Sequence, residues 1–194
     1  GSRNRGKQGA EYYQKLAIDL DKGKGDYFAQ RDAIIAEYKE AGKRSEIEAA
    51  LKALHWNARE TTMPEDLCFL YGRYFEDYLH DVEICQQFAR RNREKIAEIL
   101  LAKSSLVGTN AFHTVHNYID THEMILRKGA IAAHDGEKVL IPINMRDGSV
   151  LAVGKGNPEW NYSAPHGAGR IMSRTVARQK LSMEEYHRAM NGIY

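Results

Sequence analysis

The feature that most constrains this chain is a long periodic run of apolar residues near its middle. Between about Arg73 and Lys103 they recur every three or four positions, with arginine, glutamate and lysine between them. This spacing places them on one stripe of a helix, and such a stripe normally faces a hydrophobic core. We therefore predict one long helix here, with a core-facing stripe formed by Phe75, Tyr78, Leu79, Val82, Cys85, Phe88, Ala89, Ile96 and Ile99.

The rest of the first half also indicates helix. Residues 10–20 carry apolar side chains at helical spacing, and residues 27–56 are charged and alanine-rich, with a break near Gly42. A further helix is predicted to begin at Thr62, Pro64 and Glu65. Threonine is a good N-cap, and the glutamate three residues later can accept a hydrogen bond from the N-cap backbone N–H.

The pattern changes after Gly108, where short runs rich in β-forming residues are separated by turn dipeptides. Asp135-Gly136 and Asp147-Gly148 favour tight hairpins. The sequence therefore predicts an antiparallel meander over residues 111–119, 124–127, 130–133, 138–143 and 149–153.

Two short helices are expected to close the chain, and the last begins at a capping box formed by Ser182 and Glu185. Strands that are grouped, rather than alternating with helices, indicate the α+β class. We expect a mainly helical segment, residues 1–108, packed against an antiparallel or mixed β-sheet in residues 109–194, which also hold the terminal helices.

Composition narrows the function classes. The chain is 43% hydrophobic and 28% charged, as in ordinary soluble domains, and it has no apolar run of the ~20 residues needed to cross a bilayer. Two cysteines give no disulfide framework and favour a reducing compartment, which we take to be the cytoplasm. The net charge of +2 does not by itself indicate a nucleic-acid binder.

Local charge is more informative. The first nine residues and residues 163–181 each contain basic residues without an acid. Such segments suit phosphate contacts, although ordinary solvated charge explains short runs equally well. The basic residues concerned are Arg3, Arg5, Lys7, Arg170, Arg174, Arg178 and Lys180.

The stretch Ser163-Ala-Pro-His-Gly-Ala-Gly-Arg170 is the strongest candidate for chemistry. Pro165 stiffens the backbone, and the glycines let main-chain N–H groups approach an anion. Arg170 offers a guanidinium suited to phosphate, and His166 could attack phosphorus once a neighbour fixes its tautomer. Taken alone, the stretch is more often a structural glycine turn with a surface histidine.

A second candidate is the pair His113 and His116. On a strand these side chains would point to opposite faces, so at most one belongs to a given site. His116 would be a metal ligand beside the amide of Asn117, although nearby histidine pairs are more often not metal sites. We expect the remaining histidines to be ordinary: His55, His80, His122, His134 and His187.

The ordered combination of motifs resembles the C-terminal half of the RtcB family of RNA ligases. The matching motifs are His116-Asn117-Tyr118, Arg127-Lys128-Gly129-Ala130, Ile141-Pro142 with Met145, and residues 163–174, while Gly1-Ser2-Arg3 is similar to the end of the family's His-Ser-Gly-Ser-Arg motif. The resemblance implies that the chain is part of an RtcB catalytic domain, in which residues 109–194 form a nucleotide-binding segment.

The resemblance further implies a GTP- and manganese-dependent ligase with two Mn²⁺ ions in the intact enzyme. It joins RNA 3′-phosphate or 2′,3′-cyclic phosphate ends to 5′-hydroxyl ends, in RNA repair or tRNA splicing, through a guanylylated histidine, here His166. His116 would bind metal, and Arg3, Arg170 and Arg174 would bind RNA or phosphate. The implied nucleotide contacts are His116, Asn117, Pro142, Ile143, Asn144, Met145, Ser149, His166, Gly167, Ala168 and Gly169.

This chain also departs from the family. The other metal ligands of the family lie N-terminal to the segment that the chain resembles, and Ile143-Asn144 replaces a usual Gly-Ser after Ile-Pro. Cys68 and Cys85 are not expected to replace the family's cysteine ligand. A catalytically incomplete fragment of an RtcB homologue, with an RNA-binding or structural role, therefore remains the alternative, and we expect this chain alone to be inactive.

Overall fold

The computed structural model of the chain describes residues 2–60, 63–108 and 110–193, with side chains from residue 6 onward. The chain divides into two compact units, Gly1–Cys85 and Gln86–Tyr194. The α-helices of the described residues are α1 (Ser2–Asp21), α2 (Lys24–Glu40), α3 (Ile47–Lys52), α4 (Arg73–Lys103), α5 (Arg174–Lys180) and α6 (Met183–Ala189). The strands are β1 (Asn117–Asp120), β2 (Ile125–Lys128), β3 (Ala130–Ala132), β4 (Lys138–Asn144), β5 (Gly148–Val153) and β6 (Ser163–Pro165).

The first unit is helical, as predicted. Its buried apolar residues Leu16, Ala17 and Leu20 lie on α1 at helical spacing. The expected break near Gly42 is confirmed, because α2 ends at Glu40 and Gly42 has a φ of +72° that favours glycine.

The helix predicted to begin at Pro64 and Glu65 is wrong. Thr62 lies outside the described residues, and the segment after it forms only a single 3₁₀ turn, Glu65–Leu67. Cys68 is already extended, with ψ of 140°, so the turn is not propagated into a helix.

The bounds predicted for α4 are confirmed, but the prediction that its stripe is core is wrong for the described residues. No residue of α4 is buried, and Phe88 and Ile96 are 57% and 50% exposed. Helical periodicity decides which face is apolar but not whether another element covers that face. No helix within residues 2–60, 63–108 and 110–193 is long and apolar enough to cross a membrane.

The strands form three antiparallel ribbons instead of one meander. β1 pairs with β2, β4 with β5, and β3 with the later strand β6. The hairpin predicted at Asp135-Gly136 is therefore wrong. The backbone of Ala133 is already bonded to the later chain, since its N–H donates to Tyr162 O at 2.7 Å and its carbonyl accepts from Gly156 N at 3.1 Å.

The hairpin predicted at Asp147-Gly148 is confirmed and joins β4 to β5. A bulge between Pro142 and Asn144 shifts the register there. The small core of this unit consists of Ile131, Ala133 and Val139, with Ile141, Ala152 and Ala164 packed against it. Helices together with separate antiparallel ribbons confirm the α+β class.

The end of the described chain follows its local signals. Ser182 and Glu185 form the predicted capping box in front of α6, and both reciprocal hydrogen bonds are present. Ser173 caps α5 by accepting a hydrogen bond from the Val176 N–H.

Candidate nucleotidyl-transfer site

His166 directly follows β6 and is exposed, so its ring is available to a ligand. Its Nδ1 lies 2.6 Å from the carbonyl oxygen of Gly129. A carbonyl oxygen only accepts, so Nδ1 must carry the proton. In the neutral imidazole this fixes the Nδ1–H tautomer and leaves the lone pair on Nε2. The structure thus provides the neighbour that nucleophilic attack by this histidine requires.

His116 lies beside this ring. The two imidazoles are nearly parallel, with centroids 4.9 Å apart and an interplanar angle of 16°. The expectation of a strand over residues 111–119 is wrong, because β1 begins at Asn117 and both His113 and His116 precede it. Those two side chains therefore do not lie on opposite faces of one strand, contrary to expectation.

Gly129 links the two histidines through its backbone. Its N–H donates to His116 O at 2.7 Å and to the side-chain oxygen of Asn117 at 3.2 Å, while its carbonyl accepts from His166. Its φ of +69° is the left-handed conformation that glycine tolerates best. A side chain would also reach 3.4 Å from Cε1 of His166.

The glycine turn after His166 rests on β4. The Ala168 N–H donates to Pro142 O at 3.2 Å, and a Cβ at Gly167 would lie 2.9 Å from the same oxygen. By contrast, a Cβ at Gly169 meets no atom within 4 Å. Pro142 also pairs with Ser149 across the ribbon. Several of the residues expected to bind nucleotide therefore meet at this end of β4.

At the β4–β5 turn, the Asn144 side chain, which was expected to contact nucleotide, forms hydrogen bonds within the turn itself. The Asn144 amide caps the turn: its oxygen accepts from the backbone N–H of Arg146 and of Asp147, and its nitrogen donates to the Asp147 carboxylate at 2.7 Å. Ile143 lies at the bulge, and Met145 is largely exposed. Hydrogen bonds from Arg146 and Asn144 lower the pKa of Asp147 to about 2.

Three arginines were expected to bind RNA or phosphate. The side chain of Arg3 lies outside the described residues. Arg170 and Arg174 are exposed, and neither guanidinium group forms a hydrogen bond or ion pair with another described residue. Both guanidinium groups are therefore open to a ligand.

The side chain of Arg127, for which no functional role was predicted, is only 1% exposed. All five of its N–H donors have an acceptor, which a buried guanidinium requires. The acceptors are Ser163 Oγ at 2.9 Å, Tyr118 OH at 2.9 Å, Asp120 Oδ2 at 3.4 Å, Glu123 Oε2 at 3.3 Å and Asn161 O at 3.0 Å. Only the Arg-Lys-Gly-Ala motif could have drawn attention to it.

His134 was expected to be ordinary, but it lies between two carboxylates. Its Nε2 lies 2.8 Å from Glu123 and its Nδ1 lies 2.9 Å from Glu137. Hydrogen bonds to Glu137 and then Glu123 raise its pKa above the usual 6.5. Its ring also stacks on Tyr162, with centroids 5.3 Å apart. We name Arg127, Asp120, Glu123, His134 and Glu137 the charged network.

Burial and hydrogen bonding act against each other on the groups around Arg127. Burial raises the pKa of Tyr118, and the guanidinium only partly offsets this. Partial burial also raises the pKa of Asp120, but backbone N–H groups of Glu123 and His122, together with Arg127, outweigh it and lower that pKa overall. The network therefore favours an ionised carboxylate beside the buried cation.

Metal ligands are incomplete in the described part of the chain. No three histidine, cysteine, aspartate or glutamate side chains among residues 6–60, 63–108 and 110–193 cluster closely enough to hold a metal ion. His116 offers one imidazole, whereas a catalytic metal generally needs about three protein ligands. The described residues alone thus do not fit a complete manganese site.

Comparison with known proteins identifies the family of the chain. The family model described as tRNA-splicing ligase RtcB matches residues 1–193. The chain belongs to the RtcB family. Two of its relatives are the RNA-splicing ligase RtcB of Escherichia coli strain K12, 35% identical over 149 residues, and RNA-splicing ligase RtcB1 of another E. coli strain, 36% identical over 149 residues.

Each of these two alignments covers 67% of this chain but only 36% of the relative. The chain thus spans about a third of the length of the RtcB relatives that it matches. A further relative, E. coli RNA-splicing ligase RtcB2, is 30% identical over 111 residues. No solved structure matches the chain.

Proposed function

We propose that this chain carries the nucleophile of a GTP- and manganese-dependent RNA ligase. The whole protein would join RNA 3′-phosphate or 2′,3′-cyclic phosphate ends to 5′-hydroxyl ends in the cytoplasm, during RNA repair or tRNA splicing. Membership of the RtcB family supports ligase chemistry. The observation that carries the proposal is the His166–Gly129 hydrogen bond, because in the neutral ring of this exposed residue it leaves the lone pair on Nε2.

In this proposal, Nε2 of His166 attacks the α-phosphorus of GTP. A P–N bond forms, the P–O bond to the β-phosphate breaks, and pyrophosphate leaves with the bonding electrons. The Nδ1 proton stays on His166, where the Gly129 carbonyl stabilises the positive charge that develops on the ring. An oxygen of an RNA 3′-phosphate then attacks this phosphorus, and the P–N bond breaks with its electrons returning to Nε2. Attack by a 5′-hydroxyl on the activated 3′-phosphate forms the phosphodiester, and GMP leaves.

The glycine turn would hold the phosphates. A Cβ at Gly169 would meet no atom within 4 Å, so an anion can approach the backbone there. The guanidinium groups of Arg170 and Arg174, which pair with no other described residue, suit phosphate oxygens. His116 would supply one ligand to Mn²⁺, whose two ions would need further ligands from outside the described residues. When bound, the metal would neutralise phosphate charge.

The test is covalent labelling of the whole gene product with radioactive GTP and Mn²⁺. His166→Ala is expected to abolish the label, whereas His113→Ala, a matched control in the same region, is expected to retain it. Loss of label in both variants, or in neither, would contradict the proposal. The isolated 194-residue chain is expected to take no label, because one imidazole cannot hold two metal ions.

The alternative is a catalytically incomplete RtcB homologue that binds RNA or serves as a structural part of a larger assembly. The basic residues from Arg170 to Lys180 favour RNA binding. It predicts salt-sensitive RNA binding that His166→Ala leaves unchanged, and no GMP label on the whole gene product. Labelling that depends on His166 would reject this alternative.

A further inference from the structure

The turn that leads into β6 has an unfavourable backbone. Asn161 and Tyr162 are consecutive non-glycine residues with φ of +49° and +50°. Left-handed conformations are disfavoured for L-residues with a Cβ, less for asparagine than for tyrosine, and two in succession persist where the surroundings impose them. This turn is followed at once by the strand Ser163–Pro165 and then by His166. The direction of the turn therefore decides where that imidazole lies.

Arg127 holds the first of these residues. Its Nη2 donates to Asn161 O at 3.0 Å, and its Nε donates to Ser163 Oγ at 2.9 Å. The Ser163 hydroxyl in turn donates to the same Asn161 oxygen at 2.8 Å. The guanidinium thus closes a ring of hydrogen bonds around the turn, while Nη1 donates to Tyr118 on β1.

The second residue is held by the same network. The Tyr162 ring stacks on His134, and its carbonyl accepts from the Ala133 N–H at 2.7 Å. Glu123 connects the two supports, because one of its oxygens accepts from Arg127 and the other from His134. Both unfavourable residues therefore depend on one group of charged side chains.

We propose that Arg127 is a positioning residue that fixes the tautomer and position of His166. It lies on β2, one strand of the hairpin that has His116 just before β1 and Gly129 just after β2. By tying that hairpin to the turn before β6, it keeps the Gly129 carbonyl against Nδ1 of His166. A lysine could not replace it, since one ammonium cannot reach acceptors spread around a planar fork.

The consequence for GMP transfer rests on the proposed function, but the test does not. NMR of the ¹⁵N-labelled chain distinguishes the Nδ1–H and Nε2–H tautomers of the His166 ring, which is assigned with His166→Gln. The wild-type ring is expected to be Nδ1–H. Arg127→Lys is expected to lose this preference and show both tautomers. Arg146→Lys, a matched change at an exposed ion-paired arginine, is expected to leave the ring unchanged.

A rescue variant separates positioning from general destabilisation. Adding Asn161→Gly to Arg127→Lys removes the penalty for positive φ, and is expected to restore much of the Nδ1–H form. A wild-type ring that already shows both tautomers, a folded Arg127→Lys chain with an unchanged ring, or a failed rescue would each overturn the proposal. If Arg127→Lys does not fold, Ser163→Ala gives the same readout, and an unchanged ring overturns the proposal there too.

The proposed function is tested separately, by GMP labelling of the whole gene product. A whole gene product that takes no GMP label, with the tautomer effects as expected, would reject the ligase proposal and leave the positioning role of Arg127 standing. If both hold, Arg127→Lys is expected to slow guanylylation by up to about a hundredfold, with little change in GTP affinity, because the nucleophile is misplaced while the phosphate contacts remain.

Discussion

The long helix α4 and the three short ribbons differ in what their sequences determine. The bounds of α4 follow from its own spacing, yet none of its residues is buried. The ribbons have strands of seven residues or fewer, but they contain Ile131, Val139 and the fully paired guanidinium of Arg127. A strong local signal thus identifies an element, whereas the core and the candidate site depend on pairings between distant segments.

The first prediction compares one isoleucine from each region. Ile131→Ala is expected to lower the free energy of unfolding by about 2–4 kcal/mol, since Ile131 is 2% exposed in the small core. Ile96→Ala, on the exposed face of α4, should cost less than about 1 kcal/mol. Urea unfolding followed by circular dichroism measures both. Equal losses would show that the apolar face of α4 is covered in solution, and would contradict the contrast between α4 and the ribbons.

The second prediction compares two glycines of the turn after His166. Gly167→Ala is expected to cost about 1–3 kcal/mol, because its Cβ would press against the Pro142 carbonyl at 2.9 Å. Gly169→Ala should stay within about 0.5 kcal/mol of wild type, since nothing lies within 4 Å. Urea unfolding of both variants checks this. Similar values would show that the turn does not rest on β4.

The third prediction concerns the side chain that connects α4 to a ribbon within the second unit. Gln86 accepts from the Ile119 N–H at 2.8 Å and donates to the Ile119 carbonyl at 3.1 Å. Gln86→Ala leaves both backbone groups unpaired and is expected to cost about 1–2 kcal/mol. Gln87→Ala, its exposed neighbour, is the control and should be nearly neutral in the same assay. Equal free energies of unfolding for the two variants would show that the Gln86–Ile119 hydrogen bonds do not stabilise the fold.

The smallest expected effect is a pH dependence at His134. Its pKa is raised in the folded chain by Glu137 and Glu123. The protonated ring therefore stabilises the fold fully below about pH 6.5, the unfolded value, and this contribution is lost as the pH rises through the raised pKa. His134→Gln should lower Tm more at pH 6 than at pH 9.

Thermal unfolding over this pH range, with His122→Gln as the control, measures that difference. The control removes a neighbouring imidazole ring, and subtracting its offset at each pH isolates the contribution of the His134 ring. A loss of Tm for His134→Gln that grew with pH would contradict this prediction. It would mean that the charged network stabilises the neutral ring and not the protonated one.

Several features were determined by the sequence itself. The bounds of α4, the Ser182–Glu185 capping box and the β4–β5 hairpin were all predicted, because each depends on residues a few positions apart. Three- and four-residue spacing, reciprocal capping and an Asp-Gly turn act through local geometry that the printed residues specify. The motif residues around His166 likewise led to the RtcB family without coordinates.

Only the tertiary structure decided how the candidate site is assembled. The bond from His166 to Gly129 joins residues 37 positions apart, and that from Arg127 to Ser163 joins residues 36 apart. Local residue spacing predicts neither contact, because β3 pairs with the distant strand β6 and not with β4, the next strand in the sequence. That non-local pairing includes Ser163, which accepts from the buried guanidinium of Arg127, and it directly precedes His166, whose ring contacts the Gly129 carbonyl.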